Sequence, residues 1–398
     1  MAVSATHSEL RLLFACARLT PDRAQVREVA SVAIDWPKLA DAAEYHGLTP
    51  ILLSNLRAAN VSAPDDVMGA MEQRNATTVR QNLFLTSELL RVYAVLEKKG
   101  IKAIPLKGTV LASQTYGDLG LRPFSDIDLL IKRDQIGEAE SASREAGYEA
   151  EFAVAAQHRD SWLKQQCELT FRRSGTVRLE LHWDIVHPHF ALETGVERFW
   201  SRLSTVRVGD ALLPNLSPQD LLFTLIVHGT RHAWSRMMWL MDVSELLRSN
   251  PGIDWRLFFQ DAESRGAARM VATSLLLARE VFGARVEHPA AEAACNCEIA
   301  LSCARKVISR WDRNLDMPTE SDYEPSPLWR HRWIIRTREN RTQQWMYRRR
   351  VLTMIGEEEF GAVRLPRALS PLYNAIRFWH ILRKSRPAKI AASAGAKN

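Results

Sequence analysis

Asp126 and Asp128 stand one residue apart in the run DIDLLI, residues 126–131. Side chains of an extended strand alternate, so both carboxylates share a face, roughly 7 Å apart at their Cα atoms. Two acids held side by side repel each other and need a cation or open water. Hard oxygen donors suit Mg²⁺ or Mn²⁺. Two such ions can hold the attacking and leaving oxygens of an in-line phosphoryl displacement. Taken alone, the pair also reads as the solvated face of an edge strand.

A third acid of the same kind lies in VRLELHWDI. There Arg178, Glu180 and His182 take one strand face, while Leu179, Leu181 and Trp183 take the other. If this strand lies beside the first, Glu180 completes a three-carboxylate cluster. If not, Arg178 neutralises Glu180 on an exposed hairpin. Upstream, Lys107-Gly108-Thr109 ends an apolar run and opens a helical one. A Gly followed by a hydroxyl lets backbone N–H groups approach a phosphate. A plain strand-to-helix turn would look the same.

The elements that must position these residues can be read in outline. Residues 1–98 are helical, and Pro64–Lys99 forms a long helix that ends at Gly100. IKAIPLKG is a strand, 109–116 a short helix and 117–125 a Gly/Pro loop. Asp134 is placed as the N-cap of a helix that Gly147 closes. ELTFRRSG and TVRLELHWDI form a hairpin turning at Ser174-Gly175. Residues 205–216 add an extended segment. Helices follow over 217–228, 234–249, 255–264, 267–282 and about 290–310, the first capped by Ser217 with Pro218 behind it. Residues 311–330 read as a loop, 331–354 as a basic, aromatic helix, and the last dozen as a frayed tail.

Composition bounds the rest. The chain has 398 residues, 46% hydrophobic and 25% charged, as expected for a globular protein of two or three domains. Net charge is +7. The basic excess sits at the C-terminal end, where residues 330–389 hold fifteen Lys and Arg against four acids. That stretch could face an anionic partner or simply be a solvated face. Five scattered cysteines do not make a disulfide framework. Cys295, Cys297 and Cys303 match no zinc spacing. The start of the chain lacks the pattern of a signal peptide, and no stretch is long and apolar enough to span a bilayer. The expectation is a cytoplasmic protein without membrane insertion.

Taken together, LKGTVLASQTYGDLGLRPFSDIDLLI resembles the signature of the polymerase-β-like nucleotidyltransferase superfamily. More closely, the chain resembles the bacterial group of uncharacterised nucleotidyltransferases, over roughly residues 30 to 380. The matching positions are Lys107-Gly108, Tyr116, Arg122, Asp126/Asp128 and Glu180-Leu181-His182-Trp183, with HGTRHAWSRMMWLMD at 228–242 as a downstream block. The chain departs from the superfamily in the longer gap from Gly108 to Asp126, in Thr109 where Ser is common, and in Glu180 where Asp is usual.

The resemblance implies an α+β fold: a small polymerase-β-like core, a mixed sheet with helices, flanked by N- and C-terminal helical regions. The expected domains are a helical region over 1–98, the catalytic core over 99–216, a helical substrate-side domain over 217–312 and a basic region over 313–398. It implies transfer of a nucleoside monophosphate from an NTP, ATP first among them, to a hydroxyl acceptor, either a small molecule or a protein. Asp126, Asp128 and Glu180 would bind Mg²⁺ or Mn²⁺ and carry catalysis. Lys107, Gly108, Thr109 and Arg122 would bind the nucleotide, with bracing of the 117–125 loop as the other role for Arg122. His182, His228 and His232 would line the acceptor pocket. The competing expectation is a nucleotide- or nucleic-acid-binding module without transfer, suggested by Arg348-Arg349-Arg350 beside Trp345 and Tyr347. Nucleic acid is the less favoured partner.

Overall fold

A computed structural model describes residues 6–152, 156–173, 177–317 and 325–355, then 359, 363, 365, 369 and 372–384. The Ser174-Gly175 turn and the C-terminal tail lie outside the described residues, as does 318–324 of the expected 311–330 loop.

The chain opens with four helices: α1 (Ser8–Cys16), α2 (Arg23–Ala30), α3 (Trp36–His46) and α4 (Thr49–Ala58). Short polar residues start two of them. Asp22 accepts from the backbone N–H groups of Ala24 and Gln25, and Asp35 from that of Lys38. The 34-residue α5 (Asp65–Lys98) follows and ends at Lys99-Gly100, as its sequence predicts.

The α/β core comes next. It holds β1 (Ala103–Leu106), the single turn α6 (Gly108–Leu111), β2 (Asp126–Ile131), α7 (Ile136–Glu145), β3 (Glu149–Ala150), α8 (Arg159–Leu163), β4 (Glu168–Arg173) and β5 (Val177–His182). The five strands form one mixed sheet in the order β1-β2-β5-β4-β3. β2 and β5 are parallel, and the other neighbours are antiparallel. Register sets Asp128 opposite Glu180, and Asp126 opposite Arg178. Leu129, Leu179 and Leu181 point the other way and are buried with Ile127, Phe171 and Val177 against α5 and α7.

The extended segment expected over 205–216 is a separate hairpin of β6 (Ser204–Val208) and β7 (Ala211–Asn215). Six helices follow: α9 (Pro218–Arg231), α10 (Met237–Ser249), α11 (Trp255–Ser264), α12 (Ala268–Phe282), α13 (Pro289–Cys295) and α14 (Glu298–Asn314). Then come α15 (Pro327–Thr337), α16 (Arg341–Thr353) and a last helix, Leu372–Lys384. Ser217 caps α9 by accepting from the N–H of Asp220. The apolar faces of α1, α3 and α4 share one continuous core with α9, α10, α12 and α14. The fold is thus α+β, a mixed five-stranded sheet flanked by helices from both ends of the chain.

Several boundaries differ from expectation. Asp134 is not a cap: it lies in a single 3₁₀ turn (Arg133–Gln135), and α7 starts without a side-chain cap. The helix expected from 234 starts only at Met237, because Ala233 and Trp234 adopt positive φ, 54° each. That over 290–310 is split into α13 and α14 at Asn296-Cys297, and α14 runs on to Asn314 inside the expected loop. The basic helix over 331–354 breaks at residues 338–340. Asn340 caps a new helix by accepting from Gln343 N–H. Arg338 turns inward, stacks 4.3 Å from the Phe190 ring and donates to the Phe190 carbonyl.

Candidate active site

The register of β2 and β5 brings the acids together. His182 Nε2 lies 3.2 Å from a carboxylate oxygen of Asp128 and 3.2 Å from one of Glu180. The other Asp128 oxygen sits 2.9 Å from Lys107 Nζ, and Glu180 meets Arg178 at 2.9 Å. Asp126, on the same face two residues before Asp128, is half-buried. These side chains line a cavity of about 480 Å³ with Gly108, Arg122, Phe124, Glu168, His228 and Arg231 among the other walls.

The approach to the cluster is built by a strained turn. Lys107 and Gly108 both take positive φ, 51° and 38°. For Lys this backbone is uncommon and costly, and such strain gathers at functional sites. It turns the Lys107 ammonium to Asp128 and leaves it 3.4 Å from His228 Nδ1. Thr109 goes elsewhere. Its side chain is buried and its hydroxyl lies 3.2 Å from that of Thr86 on α5, so it does not line the cavity.

Arg122 lines the cavity, yet its charge is already matched. It makes a two-pronged pair with Asp242, 2.8 Å at each prong, and Tyr116 Oη donates to the same carboxylate at 2.7 Å. This ties the 117–125 loop to α10. From the other side Asn82 donates to the carbonyls of Leu119 (2.6 Å) and Arg122 (3.0 Å) and accepts from Phe124 N–H. The loop leading into Asp126 is therefore held at both flanks. Arg122 thus lines the cavity and at the same time ties the 117–125 loop to α10.

Electrostatics follow from burial and neighbours. Burial and the facing Asp128 push Asp126 up to about 6. Burial opposes the charge on Asp128, but Lys107 and His182 hold its carboxyl well below the usual range. His182 is raised well above an ordinary imidazole: burial opposes this, but bonds to Asp128, Cys167, Glu168 and Glu180 outweigh it. His228 and His232 are pushed well below by burial and by Lys107 and Arg231. Their rings are 4.7 Å apart, and Trp239 packs against both.

The donor set fits a hard divalent cation. Ligand atoms of Asp128, Glu180 and His182 lie within 4.8 Å of one another, while Asp126 stands on the same strand face outside that group. Burial first and Asp128 next disfavour the charge on Asp126, and a bound cation would offset both. His182 lines the cavity and touches both Asp128 and Glu180. Sequence reading missed Glu168, which bonds His182 Nδ1 at 3.2 Å, and the clamp Asn82. Neither carries a signal of its own, since one sits in an ordinary strand pattern and the other in a long helix. The basic run 348–350 is partly spent on packing: Arg350 donates to the Pro188 carbonyl and Arg349 stacks on Trp345. The three clustered cysteines are free thiols. Among the described residues no helix is long and apolar enough to cross a membrane.

No curated protein matches the chain, and no solved structure matches it. A family model matches residues 32–283, which cover α3 to the end of α12 and contain the whole carboxylate cluster. The chain belongs to the uncharacterised nucleotidyltransferase family.

Proposed function

We propose that the protein is a divalent-metal-dependent nucleotidyltransferase that moves a nucleoside monophosphate from an NTP, ATP first among them, to a hydroxyl acceptor with release of pyrophosphate. The observation that supports this reading most is the pairing of Asp128 with Glu180 across parallel strands, with Asp126 on the same face of a cavity of about 480 Å³. Family membership supports nucleotidyl transfer in general.

Asp126, Asp128 and Glu180 would hold Mg²⁺ or Mn²⁺, which supplies neutralisation of the triphosphate and activation of the attacking oxygen. The protein's own groups then act as follows. Gly108 exposes backbone to the cavity for phosphate oxygens, and Lys107 adds a point charge beside them. Glu180 takes the proton of the attacking hydroxyl. Glu168 and His182 orient Asp128 and Glu180 by fixing their oxygens. Arg122 acts at one remove, by holding the loop that leads into Asp126. Thr109 anchors α6 to α5.

The test is pyrophosphate release from each NTP with Mg²⁺ or Mn²⁺, in the wild type and in Asp128→Ala. The reading requires metal-dependent release that the variant loses. Release that proceeds without metal, or unchanged in a folded variant, removes it. The binding-module alternative predicts tight NTP binding without any pyrophosphate.

A further inference from the structure

The catalytic cavity adjoins a second one of about 450 Å³, walled by His187, His189, Phe190, His331 and Tyr347 among others. Glu168, Arg231 and His232 line both, so they stand where the two meet. Arg231 is the last residue of α9 and is half-buried. Other basic side chains of the catalytic cavity are engaged. Lys107 pairs with Asp128, Arg122 with Asp242 and Arg178 with Glu180, while Arg236 lies over the Tyr45 ring. Arg231 makes no hydrogen bond or ion pair among the described residues. Glu168, which lines both cavities with Arg231, feels its charge without a hydrogen bond or ion pair to it, so the planar guanidinium fork is left to match a carboxylate or phosphate.

The surroundings of Arg231 sharpen the class of anion. Burial lowers His187 to about 4 and His189 to about 3, and Arg231 adds to both shifts. The rings of His187 and His189 are therefore neutral at pH 7. His187 is bonded at both nitrogens, to Gln166 and to His189, and His331 Nδ1 is bonded to Tyr347, so Nε2 of His189 and Nε2 of His331 are the nitrogens left to meet a ligand among these described rings. Neutral imidazoles suit hydroxyl groups, while Phe190 and Tyr347 provide flat apolar walls. A cavity of this size suits a small molecule.

We infer that the second cavity holds the acceptor, and that the acceptor is a small polyhydroxylated anion, a polyol carrying phosphate or carboxylate. This rests on the transfer reading above. The anionic group sits on Arg231, and one hydroxyl is directed past Glu168 and His182 toward Asp128 and Glu180. Transfer forms a bond from that oxygen to the α-phosphorus and breaks the bond from the α-phosphorus to the bridging oxygen. The electron pair leaves with pyrophosphate, and the hydroxyl proton goes to Glu180.

The full chain would be incubated with α-labelled NTP, Mg²⁺ and cell extract. The extract is split into a macromolecular fraction and neutral, cationic and anionic small-molecule pools. The anionic pool should take the label. Within it, treatment with phosphatase before the assay separates phosphorylated from carboxylated acceptors. Arg231→Met should raise the amount of that pool needed for half-maximal labelling by roughly tenfold or more, with Arg231→Lys in between. The NTP concentration for half-maximal labelling should move much less. Label in the neutral, cationic or macromolecular fraction overturns the inference while leaving transfer intact. So does an Arg231→Met defect that falls on the NTP instead. Absence of label in every fraction removes the transfer reading, and this inference with it.

Discussion

Arg122 grips Asp242 from Nε and Nη2 at 2.8 Å each, with side chains 4% and 0% exposed. The pair joins the loop before the acidic strand to a helix 120 residues later. Its removal from one side leaves a buried, uncompensated charge, which costs about 3–5 kcal/mol. Arg122→Met should lower stability by that order in urea unfolding, and turnover should fall as the loop loosens. Arg122→Met combined with Asp242→Leu should recover part of the stability but not the turnover. A single variant as stable as the wild type would contradict the bracing role.

Gly229 lies on α9 two residues before Arg231, close against a buried ring. A Cβ there would lie 2.3 Å from the Trp234 ring, which is wholly buried. Trp234 cannot yield, because its carbonyl accepts from Trp311 Nε1 at 2.7 Å and its φ is 54°. Overpacking of this kind costs about 1–3 kcal/mol or more. Gly229→Ala should therefore show a lower urea midpoint, with the acceptor-side residues Arg231 and His232 displaced. An unchanged midpoint would show that the turn after α9 is looser than described.

The pH dependence of stability has a definite sign at His46. Burial lowers this imidazole to about 3, and Arg236 and Arg310 add to the effect. Its nitrogen accepts weakly from Met237 N–H at 3.4 Å. The folded value lies below the ordinary 6.5, so the unfolded chain binds the extra proton between them. The contribution is whole above pH 6.5 and is lost as pH falls toward 3. Urea unfolding from pH 7 to 4 should show stability falling. His46→Gln should reduce that slope by up to about 1.4 kcal/mol per pH unit, the value of one proton. Equal slopes in both proteins would place the protonation elsewhere.

The parts of the site governed by local pattern were legible in the sequence. DIDLLI is a strand over 126–131, and Ser217 caps a helix, because alternation and capping act over a few residues. The two strands that carry the acids were readable, and their parallel pairing was the step that alternation could not supply. What was not readable depends on distant partners. Thr109 looks like a phosphate ligand until Thr86, on a helix that precedes it, takes its hydroxyl. Arg122 looks like a phosphate cation until Asp242 neutralises it. The break at 338–340 follows from Arg338 finding Phe190, a contact across 148 residues. Glu168 gave no signal, since its role exists only through His182.

The central claim is that Asp126, Asp128 and Glu180 are kept together for a metal. Asp126 is the sharpest probe of it. Burial and Asp128 raise its pKa to about 6, so its charge is a cost to the fold. Asp126→Asn removes that cost. The most direct measurement is Mg²⁺-dependent pyrophosphate release alongside thermal unfolding, for the wild type and Asp126→Asn at pH 8, where the wild-type carboxyl is ionised. The account predicts a variant at least as stable as the wild type whose release falls by roughly a hundredfold or more. A folded Asp126→Asn that releases pyrophosphate at the wild-type rate would contradict it.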